Sequence, residues 1–320
     1  MTRAAGADII ECILSRASHD GVLPAFADAH CHLGLMSNGD TRAAHAVQDG
    51  LVLLNMGVEP TRYANELARF ATPHDGREGT PHDGCEGTPH DGCEGTLHDG
   101  CEGTPHDGCE GVGTNTDAGA VYVGLGMHPW WVPASHDATS NASPTSGATL
   151  SQAALIDAFD EHFEEAALIG EVGLDFAPRH KDTADAQVAL LTHIFERCAT
   201  RTGLFISLHA VRSSSQVLDL LEASGAHREN TVAFHWFSGD AGERQRALKL
   251  GCFFSISERM METRRGRAHV RALPFERILL ETDAPAHEGE RCTAQQQAEQ
   301  LLRTARLAEE IRRSHVEDTR

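Results

Sequence analysis

Positive charge is scarce in this sequence: 27 Lys and Arg stand against 47 Asp and Glu, a formal net charge of −20. Broad tracking of a nucleic-acid backbone normally needs stripes of Lys and Arg, so this charge argues against that mode. A polyanionic substrate would have to be attracted locally, with bound metal ions the obvious source. No apolar run approaches the ~18 residues of a membrane helix. The first residues (MTRAAGADIIECILSRASHDG) lack the basic start, long apolar stretch and small-residue cleavage site of a secretory signal. Asp8 and Glu11 also argue against a transit peptide. The expectation is a soluble intracellular protein with no membrane partner, cytoplasmic or alternatively nuclear. Of the nine Cys, four sit in a repeat, and Cys12, Cys31, Cys198, Cys252 and Cys292 show no paired spacing, which fits a reducing compartment.

The repeat is the most visible feature present. From Thr72 to Gly111 an octad recurs five times (TPHDGREG, TPHDGCEG, TPHDGCEG, TLHDGCEG, TPHDGCEG). Gly and Pro recur too often for helix or strand, and almost nothing apolar is available to bury. Its five Asp, five Glu and one Arg carry −9, leaving −11 on the rest of the chain. His, Asp, Glu and Cys in successive units suggest a metal sponge, but no unit has the closed spacing of a zinc site. The expectation is therefore a disordered surface insertion. A second flexible loop, rich in Ser and Ala, is expected over 133–148, and a short lead-in helix or loop before about residue 22.

Outside these stretches, strand and helix signals alternate. Apolar runs end at His32, Met56, Pro129, Asp175, His209, His235, Ser257 and Asp283, and most are followed by helical periodicity. Helices are expected over 39–49, 60–71, from a capping box at Thr149–Gln152 to Glu165, over 183–202, up to Gly225, from Asp240 to Gly251 and over 294–313. Eight strands too continuously apolar for one-sided exposure imply a parallel sheet buried on both faces. Subtracting the repeat leaves about 280 residues, near the ~250 of a (β/α)8 barrel. An open doubly wound sheet would call for a Gly-rich phosphate loop after the first strand, and His-Cys-His stands there instead. The fold class read here is α/β, a (β/α)8 TIM barrel over residues 23–314 interrupted by the repeat at 72–111.

Polar residues end six of these strands: His30 and His32 on the first, His128 on the third, Glu171 on the fourth, His209 on the fifth, His235 on the sixth and Asp283 on the eighth. Strand alternation points His30 and His32 to one side and Cys31 to the other. The C-terminal rim of a barrel is where active sites form. Clustering so many polar groups there would be unfavourable by several kcal/mol without a metal or a complete hydrogen-bond network. Imidazole and carboxylate donors suit Zn, Mn, Mg or Fe. Such a set can hold two ions, a carboxylate on a middle strand bridging them, which is the arrangement for attack on a phosphoryl group. Asp283 is the natural group to ligate one metal and accept the proton of the attacking water.

The stretches DAHCHL (28–33), GLGMHP (124–129), IGEVGLDF (169–176), SLHA (207–210), FHWFSG (234–239) and LLETDAP (279–285), taken in this order, resemble the TatD family of metal-dependent deoxyribonucleases. The resemblance implies that His30, His32, Glu171 and Asp283 hold one divalent ion (Mg, Mn or Zn) and that Glu171, His209 and His235 hold a second. It implies that His128 contacts substrate, with Asp283 and Glu171 as the catalytic carboxylates. The implied substrate is DNA, single-stranded or at its ends, cleaved as a 3′–5′ exonuclease. Related amidohydrolases often carry a carbamylated Lys on the fourth strand, and Glu171 favours the nuclease branch. Alternatives are an ester or amide hydrolase, such as an aminoacyl-tRNA deacylase, and a non-catalytic scaffold on a decayed barrel. Three departures from the family pattern stand out: Trp236 where Cys is frequent, the repeat, and no Asn-x-Pro segment or closing helix after the eighth strand.

Overall fold

A computed structural model of the chain describes residues 27–71, 119–133 and 150–318. The lead-in segment, the octad repeat, the Thr149 end of the expected capping box and nearly all of the 133–148 loop lie outside the described residues. The strands are β1 (Ala27–Cys31), β2 (Val52–Asn55), β3 (Ala120–Met127), β4 (Leu168–Asp175), β5 (Phe205–Val211), β6 (Thr231–His235), β7 (Phe253–Ile256) and β8 (Ile278–Leu280). They lie in chain order, each parallel to the next. The seam between β8 and β1 is joined just beyond β8: the Asp283 amide donates to the His30 carbonyl (2.9 Å) and the His32 amide to the Ala284 carbonyl (2.7 Å). This is the expected eightfold barrel.

The helices are α1 (Gly39–Gln48), α2 (Tyr63–Phe70), α3 (Gln152–Phe163), α4 (Ala184–Cys198), α5 (Ser214–Ser224), α6 (Ala241–Lys249), α7 (Glu258–Glu262), α8 (Arg264–Ala272) and α9 (Ala294–Asp318). Two cores result from the strands' two faces. Inside the barrel, Ala27, Ala29, Val52, Leu54, Met56, Tyr122, Leu168, Phe205, Ala233 and Leu279 form one cluster. The larger cluster fills the layer between strands and helices and includes Cys31, which therefore faces away from the barrel interior as alternation predicts. No helix among the described residues is long and apolar enough to cross a membrane.

Three expectations need correction. The helix expected over 294–313 runs on to Asp318 and is itself a closing helix: α9 packs against α1, α7, α8 and β8 and buries Leu301, Ala305, Ala308 and Ile311. Its last residues, Ser314 to Asp318, include a single apolar residue, Val316, which hid the last turn from an apolar-period reading. The capping of α3 is simpler than expected, with the Ser151 hydroxyl accepting from the Ala154 amide at 3.2 Å. A reciprocal capping box stands instead at α6, between Asp240 and Glu243. Helices α7 and α8 were missed because their stretch, ERMMETRRGRAHVRA, is short and mostly polar, although the N-caps Ser257 and Thr263 announce them.

What positions the site is a set of breaks in the ladder. The β1–β2 register shifts between Asp28 and Cys31, the β3–β4 register between Leu125 and Met127, and the β4–β5 register between Ile169 and Val172. Such irregularities re-aim a side chain. His30 and Glu171 lie inside two of them. Gly126 lets the backbone close up there, since a Cβ on it would press into the Gly57 carbonyl. Gly57 in turn holds Glu171, its carbonyl accepting from the Glu171 amide at 2.8 Å.

Candidate metal centre

All seven residues expected from the sequence meet at the C-terminal mouth of the barrel. His32, His128, Glu171, His209, His235 and Asp283 line one cavity of about 550 Å3. His30 lies fully buried against its wall, its ring stacked on His235 with centroids 3.9 Å apart. Glu171 is the hub. Its Oε2 lies 3.2 Å from His30 Nε2 and 3.4 Å from His32 Nε2, and its Oε1 lies 2.6 Å from His209 Nδ1 and 3.4 Å from His128 Nε2. Asp283 Oδ1 is 4.0 Å from His30 Nε2 and 3.7 Å from His32 Nε2.

Within this shell, His30, His32 and Glu171 form one group able to hold a cation, His128, Glu171 and His209 a second, and His30, His235 and Glu281 a third. The spacings fit a resident ion. Donors 2.0–2.1 Å from a tetrahedral metal stand about 3.4 Å from one another. Ring-nitrogen roles sharpen the assignment. His32 Nδ1 faces the Met56 carbonyl at 2.9 Å, and His235 Nδ1 faces Glu281 Oε2 at 2.9 Å. Each partner accepts only, so each Nδ1 carries a proton, and with a metal bound each Nε2 would present its lone pair. His32 Nε2 then faces another imidazole nitrogen, His30 Nε2 at 3.2 Å, and a carboxylate. Donor atoms crowded in this way call for a cation. The buried Glu281 Oε1, with no hydrogen-bond partner, calls for the same.

His128 differs. Its Nδ1 accepts from the Trp130 amide at 3.2 Å, so its proton resides on Nε2, aimed at Glu171. Proximity groups His128 with Glu171 and His209, but its proton position makes it a hydrogen-bond donor. His235, expected beside Glu171 and His209, is instead grouped with His30 and Glu281.

The sequence reading missed Asp175 and Glu281. Asp175 Oδ2 accepts from the Trp130 indole N–H at 2.6 Å and lies 3.4 Å from His209 Nε2. Both residues were findable. Asp175 shares strand parity with Glu171, and Glu281 with Asp283, the spacing used for His30 and His32.

The electrostatics match a site short of positive charge. Burial alone would raise the Glu171 carboxyl, but the imidazoles of His128 and His30 outweigh it and hold the group well below the usual carboxylate range. Burial would lower His235, yet Glu281 and Asp283 push it up to about 10. Burial is likewise overcome at His32 by Glu171 and at His209 by Asp175 and Glu171, and both are raised. Burial prevails at His128, which falls to about 4 and is neutral at pH 7. The raised His32, His209 and His235 mark the place where the clustered carboxylates favour a positive charge, which bound cations would bring.

The backbone is strained at the same place. Asp283 has φ +53° and Trp236 φ +39°, left-handed values costing of order 1–3 kcal/mol for a side-chain-bearing residue. Asp283 is held there by the hydrogen bond its backbone N–H donates to the His30 carbonyl of β1 and by its neighbour Thr282. The Thr282 amide and hydroxyl donate to the buried Asp28 at 2.9 and 2.5 Å.

A model of the TatD related DNase family matches residues 27–320. Human "Deoxyribonuclease TATDN3" is 32% identical over 131 residues, covering 39% of this chain and 46% of that protein. The "3'-5' ssDNA/RNA exonuclease TatD" of Citrobacter rodentium is 32% identical over 166 residues, covering 50% of this chain and 56% of that protein. The chain thus spans about half the length of the curated relatives it matches. Among solved structures, the Escherichia coli TatD homolog YJJV superposes with a TM-score of 0.55 at 19% identity, over 92% of this chain and 96% of that one, which shows a shared fold. With the family match running from β1 through α9, the chain belongs to the TatD related DNase family.

Proposed function

We propose that the chain is a metal-dependent nuclease that removes nucleotides from the 3′ end of single-stranded DNA. The observation that carries this reading is the cluster around Glu171, where five imidazoles and four carboxylates converge at the barrel mouth and His30 Nε2 stands 3.2 Å from His32 Nε2. His30, His32, Glu171 and Asp283 would hold one divalent ion (Mg, Mn or Zn). A second would lie among Glu171, His209 and His235, with His209 Nδ1 2.6 Å from Glu171 Oε1 and the His235 ring held through its Nδ1 by Glu281. When bound, such ions supply charge against the phosphoryl oxygens and lower the pKa of water.

The chain's own groups supply the rest. Asp283 is the most open of the four carboxylates, with its side chain 21% exposed against 2% for Glu171, 1% for Asp175 and 0% for Glu281. It is the group able to take a proton from an attacking water and release it to solvent. His128, neutral with its proton on Nε2, donates a hydrogen bond to a non-bridging phosphate oxygen. Glu281 and the Met56 carbonyl fix the rings of His235 and His32.

The test is end-labelled single-stranded DNA with protein stripped by chelator and reloaded with Mg, Mn or Zn. Stepwise shortening from the 3′ end, restored only by metal, is expected. Asp283→Asn should lower turnover by at least 100-fold, in the range of a lost general base, while retaining most of the metal. An intact strand alongside cleavage of an aminoacyl ester would instead establish the deacylase alternative.

A further inference from the structure

We propose that Trp130 and Trp131 form a stacking platform for the base of the nucleotide being cleaved, an inference that rests on the nuclease reading above. Among the described residues the exposed large apolar side chains are Trp130 (45%), Trp131 (37%) and Leu302 (44%). A single exposed apolar residue is ordinary. Here two of the three are neighbouring indoles in the turn Pro129–Trp131 that follows His128, and both line the cavity containing Glu171 and His209. Their rings are near parallel, 16° apart with centroids at 6.4 Å.

The platform is built in advance rather than left to collapse into the cavity. The Trp130 indole N–H is tied to Asp175, the Arg179 guanidinium stands 4.5 Å from the Trp130 ring centroid, and His180 stacks at 5.3 Å. Trp131 packs edge-on against His128, centroids 5.4 Å apart and 87° between planes. Rigid, flat, half-exposed rings suit the face of a nucleobase, and every base has such a face, so recognition is tolerant of sequence. A paired base already stacks on its neighbours, whereas an unpaired terminal base is free to move onto the indoles. The platform therefore selects single-stranded ends. Arg179 adds a positive charge on this wall of a chain whose formal charge is −20. Asp175 serves both functions, anchoring Trp130 and facing His209 Nε2 at 3.4 Å, so the platform and the hub share one support.

Two oligonucleotides test this, identical except that the 3′-terminal nucleotide carries thymine or a base-free tetrahydrofuran. Wild-type protein should favour the thymine end about tenfold in kcat/KM, mainly through KM. Trp131→Ala should reduce that preference to about onefold, and Trp131→Tyr should restore most of it. Equal preference in wild type and Trp131→Ala would overturn the proposal. Chelator-treated protein provides a readout independent of turnover. Its tryptophan fluorescence should be quenched by the thymine oligonucleotide and not by the base-free one. Quenching without cleavage under any metal would sink the nuclease reading and leave the platform standing. Cleavage indifferent to the terminal base would do the reverse.

Discussion

Glu281 reaches no cavity surface, yet much of the site's pH behaviour traces to it. Fully buried, it accepts from His235 Nδ1 and from the Ser255 hydroxyl, and Glu281 with Asp283 lifts His235 from its ordinary 6.5 to about 10. The folded state therefore binds the His235 proton more tightly than the unfolded chain does. In metal-free protein this contribution to stability is complete below pH 6.5, declines as pH rises, and is gone above about pH 10. Glu281→Gln should flatten that alkaline limb in denaturation experiments on metal-free protein. It should also weaken divalent-metal binding by roughly 10–100-fold, as loss of a carboxylate behind a ligating imidazole does. An unaltered alkaline limb would show that Glu281 does not hold the His235 proton. In the sequence, Glu281 was hidden in plain sight: strand parity marks it as readily as Asp283, but an apolar run ending in an acid draws attention to the last acid only. The ring-nitrogen partners of His32, His128 and His235, which separate lone-pair donors from proton donors, lie on other strands or in the backbone and could not be read in advance.

At the scale of elements, strand order and the identity of the rim residues were legible because each β-unit repeats the same pattern of apolar run, polar end and helix. The register breaks were not. His30 and Glu171 are aimed by shifts that depend on the neighbouring strand, and nothing within DAHCHL or IGEVGLDF encodes the partner's register. The helix α9 was legible as a helix but not as a latch. Its buried Gln297 accepts from Arg42 Nε of α1 at 2.5 Å and donates to Asp28 of β1, which in turn holds Thr282 beside Asp283. Burial raises the Asp28 carboxyl to about 6 despite these donors. Arg42 already has two buried guanidinium nitrogens without partners. Gln297→Leu would strand the third and remove a donor from Asp28, a loss of about 2–4 kcal/mol in chemical denaturation. Because the same chain of bonds reaches Thr282, metal affinity should fall with it. Wild-type stability and affinity in this variant would show that α9 merely covers the barrel.

For the whole molecule, the fold reconciles a strongly acidic chain with a polyanionic substrate by concentrating function at one rim. Charge of −20 opposes approach along any extended strand, and the cavity around Glu171 is where cations would reverse the local sign. The proposed chemistry rests on this arrangement. It is most directly tested by anomalous diffraction from crystals soaked in Mn. A peak bonded to His30 Nε2, His32 Nε2, Glu171 and Asp283 is predicted, with a second on the far side of Glu171 beside His209. Full-length protein whose crystals show no anomalous peak in this cavity, and whose melting temperature is indifferent to Mn, would contradict the account.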